Sequence, residues 1–103
     1  MEIDFDNSTI RTICTSPSKA FRKYGKDNAK RLFLKLEQMQ AAENLEQLQH
    51  LPGHYHELKG DRKGQWACTI SGPLRLIFRP SGNGTIRLSE IREATIMEVT
   101  DYH

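Results

Sequence analysis

Trp66-Ala67-Cys68-Thr69-Ile70-Ser71-Gly72-Pro73-Leu74-Arg75-Leu76-Ile77-Phe78-Arg79 is the stretch on which the fold turns. Trp66–Ser71 and Leu74–Arg79 are rich in β-branched, aromatic and aliphatic residues and read as strands, separated only by Gly72-Pro73. So short a link joins neighbours that run antiparallel. Immediately upstream, Tyr55–Lys59 reads as another strand, joined through the turn Gly60–Gly64, so the three predict an antiparallel meander.

Before Gly53 the apolar period is helical. Ser16-Pro17 has the form of an N-cap followed by proline at the first helical position, and Gly25 of a stop, which predicts a short helix over Pro17–Tyr24. A longer helix is predicted from about Asp27 to Ala42, where Ala29, Leu32, Phe33, Leu36 and Met39 recur at the spacing of a buried stripe. Asn44 and Gln47 form a capping-box pair ahead of Leu45, Leu48 and Leu51, a third short helix ended by Pro52-Gly53. Glu2-Ile3-Asp4-Phe5 alternates like a first strand, and about Ala94 to Thr100 like a last one. Ser81-Gly82-Asn83-Gly84 carries the strongest flexibility signal. Thr85–Arg92 fits neither period, with Ser89 placed to cap a single helical turn. Helices first and sheet afterwards predict an α+β domain, with N-terminal helices on one face of a small, mainly antiparallel sheet. At 103 residues the chain is expected to be one domain, 1–103.

With 37% hydrophobic and 27% charged residues, the composition is that of a globular chain rather than a disordered one. No apolar run approaches the roughly 20 residues of a membrane span. The opening Met1-Glu2-Ile3-Asp4-Phe5-Asp6 is acidic and alternating, unlike a secretion signal, so a cytoplasmic location with no membrane partner is expected. Cys14 and Cys68 are isolated thiols, expected to be small apolar residues, and His50, His54, His56 and His103 form no zinc-site spacing. No metal or cofactor is therefore expected.

The net charge is only +2, but its distribution is uneven. Residues 8–35 hold Arg11, Lys19, Arg22, Lys23, Lys26, Lys30, Arg31 and Lys35 against Asp27 alone. A second basic group, Lys59, Arg62, Lys63, Arg75 and Arg79, is opposed only by Asp61, whereas residues 36–58 carry glutamates and no lysine or arginine. Such segregation suits a surface that meets a polyanion.

Two segments place reactive side chains where a plain sheet has no use for them: His56 to Trp66, and the terminal Thr100-Asp101-Tyr102-His103. Strand alternation sets His56 with Leu58 and Glu57 with Lys59, so bringing His56 and Lys59 together needs a bulge or the turn itself. Cleaving RNA without a metal requires a group to take the proton from the 2′-OH and one to protonate the leaving 5′-oxygen. It also requires cations for the phosphorane and a platform for the base. His56, Asp101 and His103 are candidates for proton transfer, Lys59 and Arg75 for the charge, and Tyr102 for stacking. Gly60 and Gly64 read as turn formers, Trp66 as core, and Asp61 and Arg62 as a pair across the turn.

The run His56-x-Leu-Lys-Gly-Asp-Arg-x-Gly-x-Trp66, then Leu74-Arg75-Leu76-Ile77-Phe78, then terminal Asp101-Tyr102-His103, resembles HigB toxins of the RelE/ParE superfamily. The resemblance covers about residues 16–103 and is most specific in 56–79 and 94–103. It implies a RelE-like fold and a type II toxin: an endoribonuclease that enters the ribosomal A site and cuts messenger RNA during translation. It implies His56, Lys59, Arg75, Asp101, Tyr102 and His103 as catalytic, with Arg62, Lys63 and Arg79 contacting RNA. It also implies a HigA-like helix-turn-helix antitoxin, whose complex with the toxin binds operator DNA. Asn83–Glu93 adds a loop that shorter members lack. The alternative is a non-catalytic relative that acts by binding DNA gyrase or the ribosome.

Overall fold

The computed structural model describes residues 1–82 and 87–101. Along these, β1 (Glu2–Phe5) is followed by α1 (Ser8–Thr15), α2 (Pro17–Tyr24), α3 (Lys26–Ala41) and α4 (Leu45–Gln49). β2 (His56–Glu57), β3 (Trp66–Ser71), β4 (Leu74–Pro80) and β5 (Glu93–Asp101) come next, with single 3₁₀ turns at Gly60–Arg62 and Leu88–Glu90. The sheet order is β1-β5-β4-β3-β2, antiparallel except that β1 joins the outer edge of β5 in parallel. The expected α+β arrangement and the meander are both present.

Most predicted elements lie within a residue of where the sequence put them. The Asn44 side chain accepts from the Gln47 N–H at 2.8 Å and so caps α4, while the Gln47 side chain accepts from the Glu43 N–H at 2.6 Å, one residue before the partner a strict capping box would use. The single helical turn is there, but Arg87 stands at its N-cap and Ser89 lies inside it rather than capping it. Of the flexible stretch, Ser81 and Gly82 are described, and Asn83 and Gly84 lie outside the described residues.

Two differences matter. Sequence reading missed α1. Thr9, Ile10, Thr12, Ile13 and Thr15 are β-branched and weak helix formers, but Asn7 caps the Ile10 N–H at 3.0 Å and Ile10, Ile13 and Cys14 reach the core. The strand expected over Tyr55–Lys59 shortens to His56–Glu57, because His54 adopts φ 55° and Lys59 already enters the turn.

The core lies between the helices and one sheet face. Leu32, Leu36 and Met39 of α3, Leu45 and Leu48 of α4, and Ile10, Ile13 and Cys14 of α1 meet Trp66, Cys68, Ile70, Leu74, Leu76, Phe78, Ala94 and Ile96. Trp66 and Tyr55 flank Phe78 with ring centroids 6.4 and 6.3 Å away. Cys14 and Cys68 are buried free thiols, as small apolar residues should be.

Candidate active face

Strand partners share a face of the sheet, so the register sorts the remaining side chains. On the side without helices, His56, Ala67, Ile77 and Glu98 form one row across β2 to β5. Thr69, Arg75 and Thr100 form the next row toward the Gly72-Pro73 turn, and Arg79 with Thr95 lies on the other side.

A β-bulge decides which residues of β5 join these rows. Phe78 pairs with Ile96 but Ile77 with Glu98, leaving Met97 as the extra residue. Strict alternation would send Glu98 and Thr100 toward the core along with Ala94 and Ile96. The bulge reverses the parity and turns both to the open side.

His56 is half-buried at the sheet edge. Its Nδ1 lies 3.0 Å from the carbonyl oxygen of His54, which can only accept, so Nδ1 is the donor and Nε2 is the basic nitrogen of the neutral ring. The His54 carbonyl is presented by the left-handed backbone at that residue, and the two imidazoles lie 4.7 Å apart. The Arg75 guanidinium folds back on its own hairpin, with Nη1 donating to the carbonyls of Gly72 (2.5 Å) and Leu74 (3.2 Å). From strand and residue spacings, the Cα atoms of His56 and Arg75 are roughly 12 Å apart.

The turn between β2 and β3 supplies more cations. Gly60 and Gly64 have φ of 68° and 91°, values that β-carbons disfavour, so they form the turn as their sequence context suggested. Lys59 and Lys63 are exposed on either side of the 3₁₀ turn. Arg62 reaches back over the sheet, its Nη2 2.7 Å from Oε1 of Glu98. The expected pairing of Arg62 within the turn, with Asp61, is thus replaced by one across the sheet.

His56, Arg75 and Arg79 therefore occupy one face, with Lys59, Arg62 and Lys63 on the turn beside it. Asp101 is not brought into these rows: it pairs with Leu74, a core residue, and so leaves β5 on the helix side at the strand's exposed end. Tyr102 and His103 lie outside the described residues. Glu98 was not foreseen, because only the bulge brings it to this face. The other basic group, Lys19, Arg22, Lys23, Lys26, Lys30 and Arg31, is exposed on α2 and α3, in the layer across the sheet from His56. What reads as one basic character in the sequence is two separate surfaces.

Among the described residues no three His, Cys, Asp or Glu side chains gather as metal ligands, and no helix is long and apolar enough to cross a membrane.

Over residues 11–89 the sequence matches the family described as the RelE-like toxin of type II toxin–antitoxin system HigB. A comparison with curated proteins finds no match. Among solved structures, a YoeB/ParE toxin from Agrobacterium tumefaciens superposes with a TM-score of 0.65 at 14% identity, covering 100% of both chains. The YoeB–YefM complex from Staphylococcus aureus gives 0.63 at 16% identity, covering 100% of this chain and 97% of that one. The YoeB dimer from the same organism gives 0.61 at 18% identity with the same coverage. At these identities the structures establish a shared fold.

Proposed function

The chain belongs to the HigB-like family of RelE-like type II toxins, and from that premise we propose that it is a ribosome-dependent endoribonuclease that cuts messenger RNA. The observation that carries this reading is the open face of the sheet. A histidine with a fixed tautomer stands there in a field of cations, on the side no helix covers.

The 2′-OH next to the scissile phosphate is the nucleophile, so no metal-bound water is required. Nε2 of His56 takes the 2′ proton, the 2′-oxygen bonds to phosphorus, and the P–O5′ bond breaks. The departing 5′-oxygen receives a proton from the terminal segment, where His103 is the donor and Asp101 acts from the strand end. Lys59 and Arg75 offset the charge of the phosphorane, and Tyr102 stacks on the flanking base. Arg62, Lys63 and Arg79 extend the cationic surface along the RNA backbone. With His56 and Arg75 on different strands, roughly 12 Å apart, the ribosome is assigned the alignment of the substrate. Weak cleavage of naked RNA is the consequence. The work is cytoplasmic, and the neutralising partner is a HigA-like helix-turn-helix antitoxin whose complex with the toxin sits on operator DNA.

Primer extension on messenger RNA from cells expressing the protein tests this. New 5′ ends inside translated reading frames, lost in His56→Ala, are expected. Growth arrest with intact messages overturns cleavage. If supercoiling is lost at the same time, the gyrase-binding mode of ParE-type relatives replaces it.

A further inference from the structure

We propose that Glu98 is a positioning residue that holds the basic turn over the sheet through Arg62, an inference that rests on the cleavage reading above. Ala67 and Ile77 lie between His56 and Glu98 in the same row, on the side without helices, yet both are fully buried. The Arg62 side chain reaches over this side from the turn. Arg62 starts from the loop between β2 and β3 and meets Glu98 on β5, the row partner of Ile77, so its side chain spans the open side of the sheet.

The contact is specific. Oε1 of Glu98 is shut off from solvent and has no well-aligned hydrogen-bond donor among the described residues, so the Arg62 guanidinium 2.7 Å away is the charge that offsets it. The two side chains as a whole remain 43% and 42% exposed, and a pair so open to water adds little to global stability. Its effect is geometric. The Lys63 N–H donates to Gly60 at 3.1 Å and the Gln65 N–H to Arg62 at 2.9 Å, so fixing Arg62 fixes the whole turn. Lys59, assigned to the scissile phosphate, and Lys63, assigned to the RNA backbone, flank that turn. The bulge at Met97 then has a purpose in the sheet: without it Glu98 faces the core and the turn has no anchor.

Two measurements on the purified protein test this. In Glu98→Ala, amide hydrogen exchange at Lys63 and Gln65 speeds up while Trp66 and Cys68 remain protected. On programmed ribosomes at saturating toxin, single-turnover cleavage falls roughly ten- to a hundredfold, the usual consequence of a displaced charge. In an Arg62→Ala background the Glu98→Ala change costs nothing more, because Glu98 acts through Arg62. A full additional loss in that background means that Glu98 meets the substrate directly and overturns the proposal. Unchanged exchange in the turn overturns it as well. Should Glu98→Ala fail to fold, isosteric Glu98→Gln loosens the turn with packing intact. If the wild-type protein cuts no ribosome-bound message, the cleavage reading fails, and the exchange measurement still decides the anchor.

Discussion

The two faces of one five-stranded sheet follow different rules. Beneath the helices, Trp66, Cys68, Ile70, Leu76 and Phe78 are apolar, buried and spaced with the strand period. On the other side, the sheet carries His56, Thr69, Arg75, Arg79 and Thr100, and among the described residues Ala67 and Ile77 are the ones closed off. One face therefore contributes stability and the other is available for chemistry. Substitutions on the two sides are expected to separate the two properties.

The largest effect on stability is expected at Phe78. It is fully buried between the Trp66 and Tyr55 rings, and Phe78→Ala leaves a cavity that flanking backbone cannot close. A loss of about 3–5 kcal/mol is expected in denaturant titration, a large share of the stability of so small a domain. A loss below about 1 kcal/mol would mean that the helix-covered layer is not a tightly packed core.

Next come Lys59→Ala and Arg75→Ala, which probe the opposite side. Each removes a charge from the proposed phosphate site, and cleavage on ribosomes is expected to fall roughly a hundredfold. Thermal midpoints should hardly move, since Lys59 is exposed and the hydrogen bonds of Arg75 among the described residues are to its own hairpin. Soluble variants that arrest growth like the wild type would leave the open face without a catalytic role.

Ile77 is where the comparison is least clean, being a core-like residue on the functional side. Ile77→Ala is expected to cost about 2 kcal/mol, the lower end for such a truncation, because the Arg62 side chain and its turn can settle toward the space. It should also lower cleavage while the turn shifts. A loss as large as that of Phe78 would make the turn a rigid part of the core rather than an attached cover.

Legibility followed the same division. The helix-covered side was readable because its signals are periodic: the α3 stripe, the capped α4 and the two runs around Gly72-Pro73. His56 and Arg75 could be named as residues from their motif, and Trp66 as core. What the sequence did not disclose was parity on β5. One extra residue at Met97 turns Glu98 and Thr100 outward and leaves Asp101 on the core side, and no residue type in Ala94–Thr100 announces a bulge. Helix α1 was hidden for a related reason, since its threonines and isoleucines suit strands locally and only packing makes them helical.

The last expected effect is confined to alkali and vanishes at neutral pH, and it belongs to the thiols of the helix-covered side. Burial pushes the Cys14 thiol from 9.0 up to about 12. Burial also carries Cys68 from 9.0 up to about 12, although Lys35, a hydrogen bond from Tyr55 and Arg75 pull the other way. Tyr24 and Tyr55 are raised too, first by desolvation. In each case the folded chain holds its proton more firmly than the unfolded chain. Below pH 9.0 both states keep the thiol protons, and this contribution is present in full. Above that, unfolding releases protons, so stability falls steadily until the folded thiols ionise near pH 12. The thermal midpoint should accordingly show no loss from the thiols between pH 7 and 9 and decline beyond. Cys14→Ala should flatten part of that decline, whereas His56→Ala on the open face should leave it as it is. The same depletion of thiolate predicts slow alkylation of the native protein at pH 8. If both cysteines instead react as fast as free cysteine under native conditions, the layer beneath the helices opens far more readily than its packing implies, and the contrast between the two faces weakens.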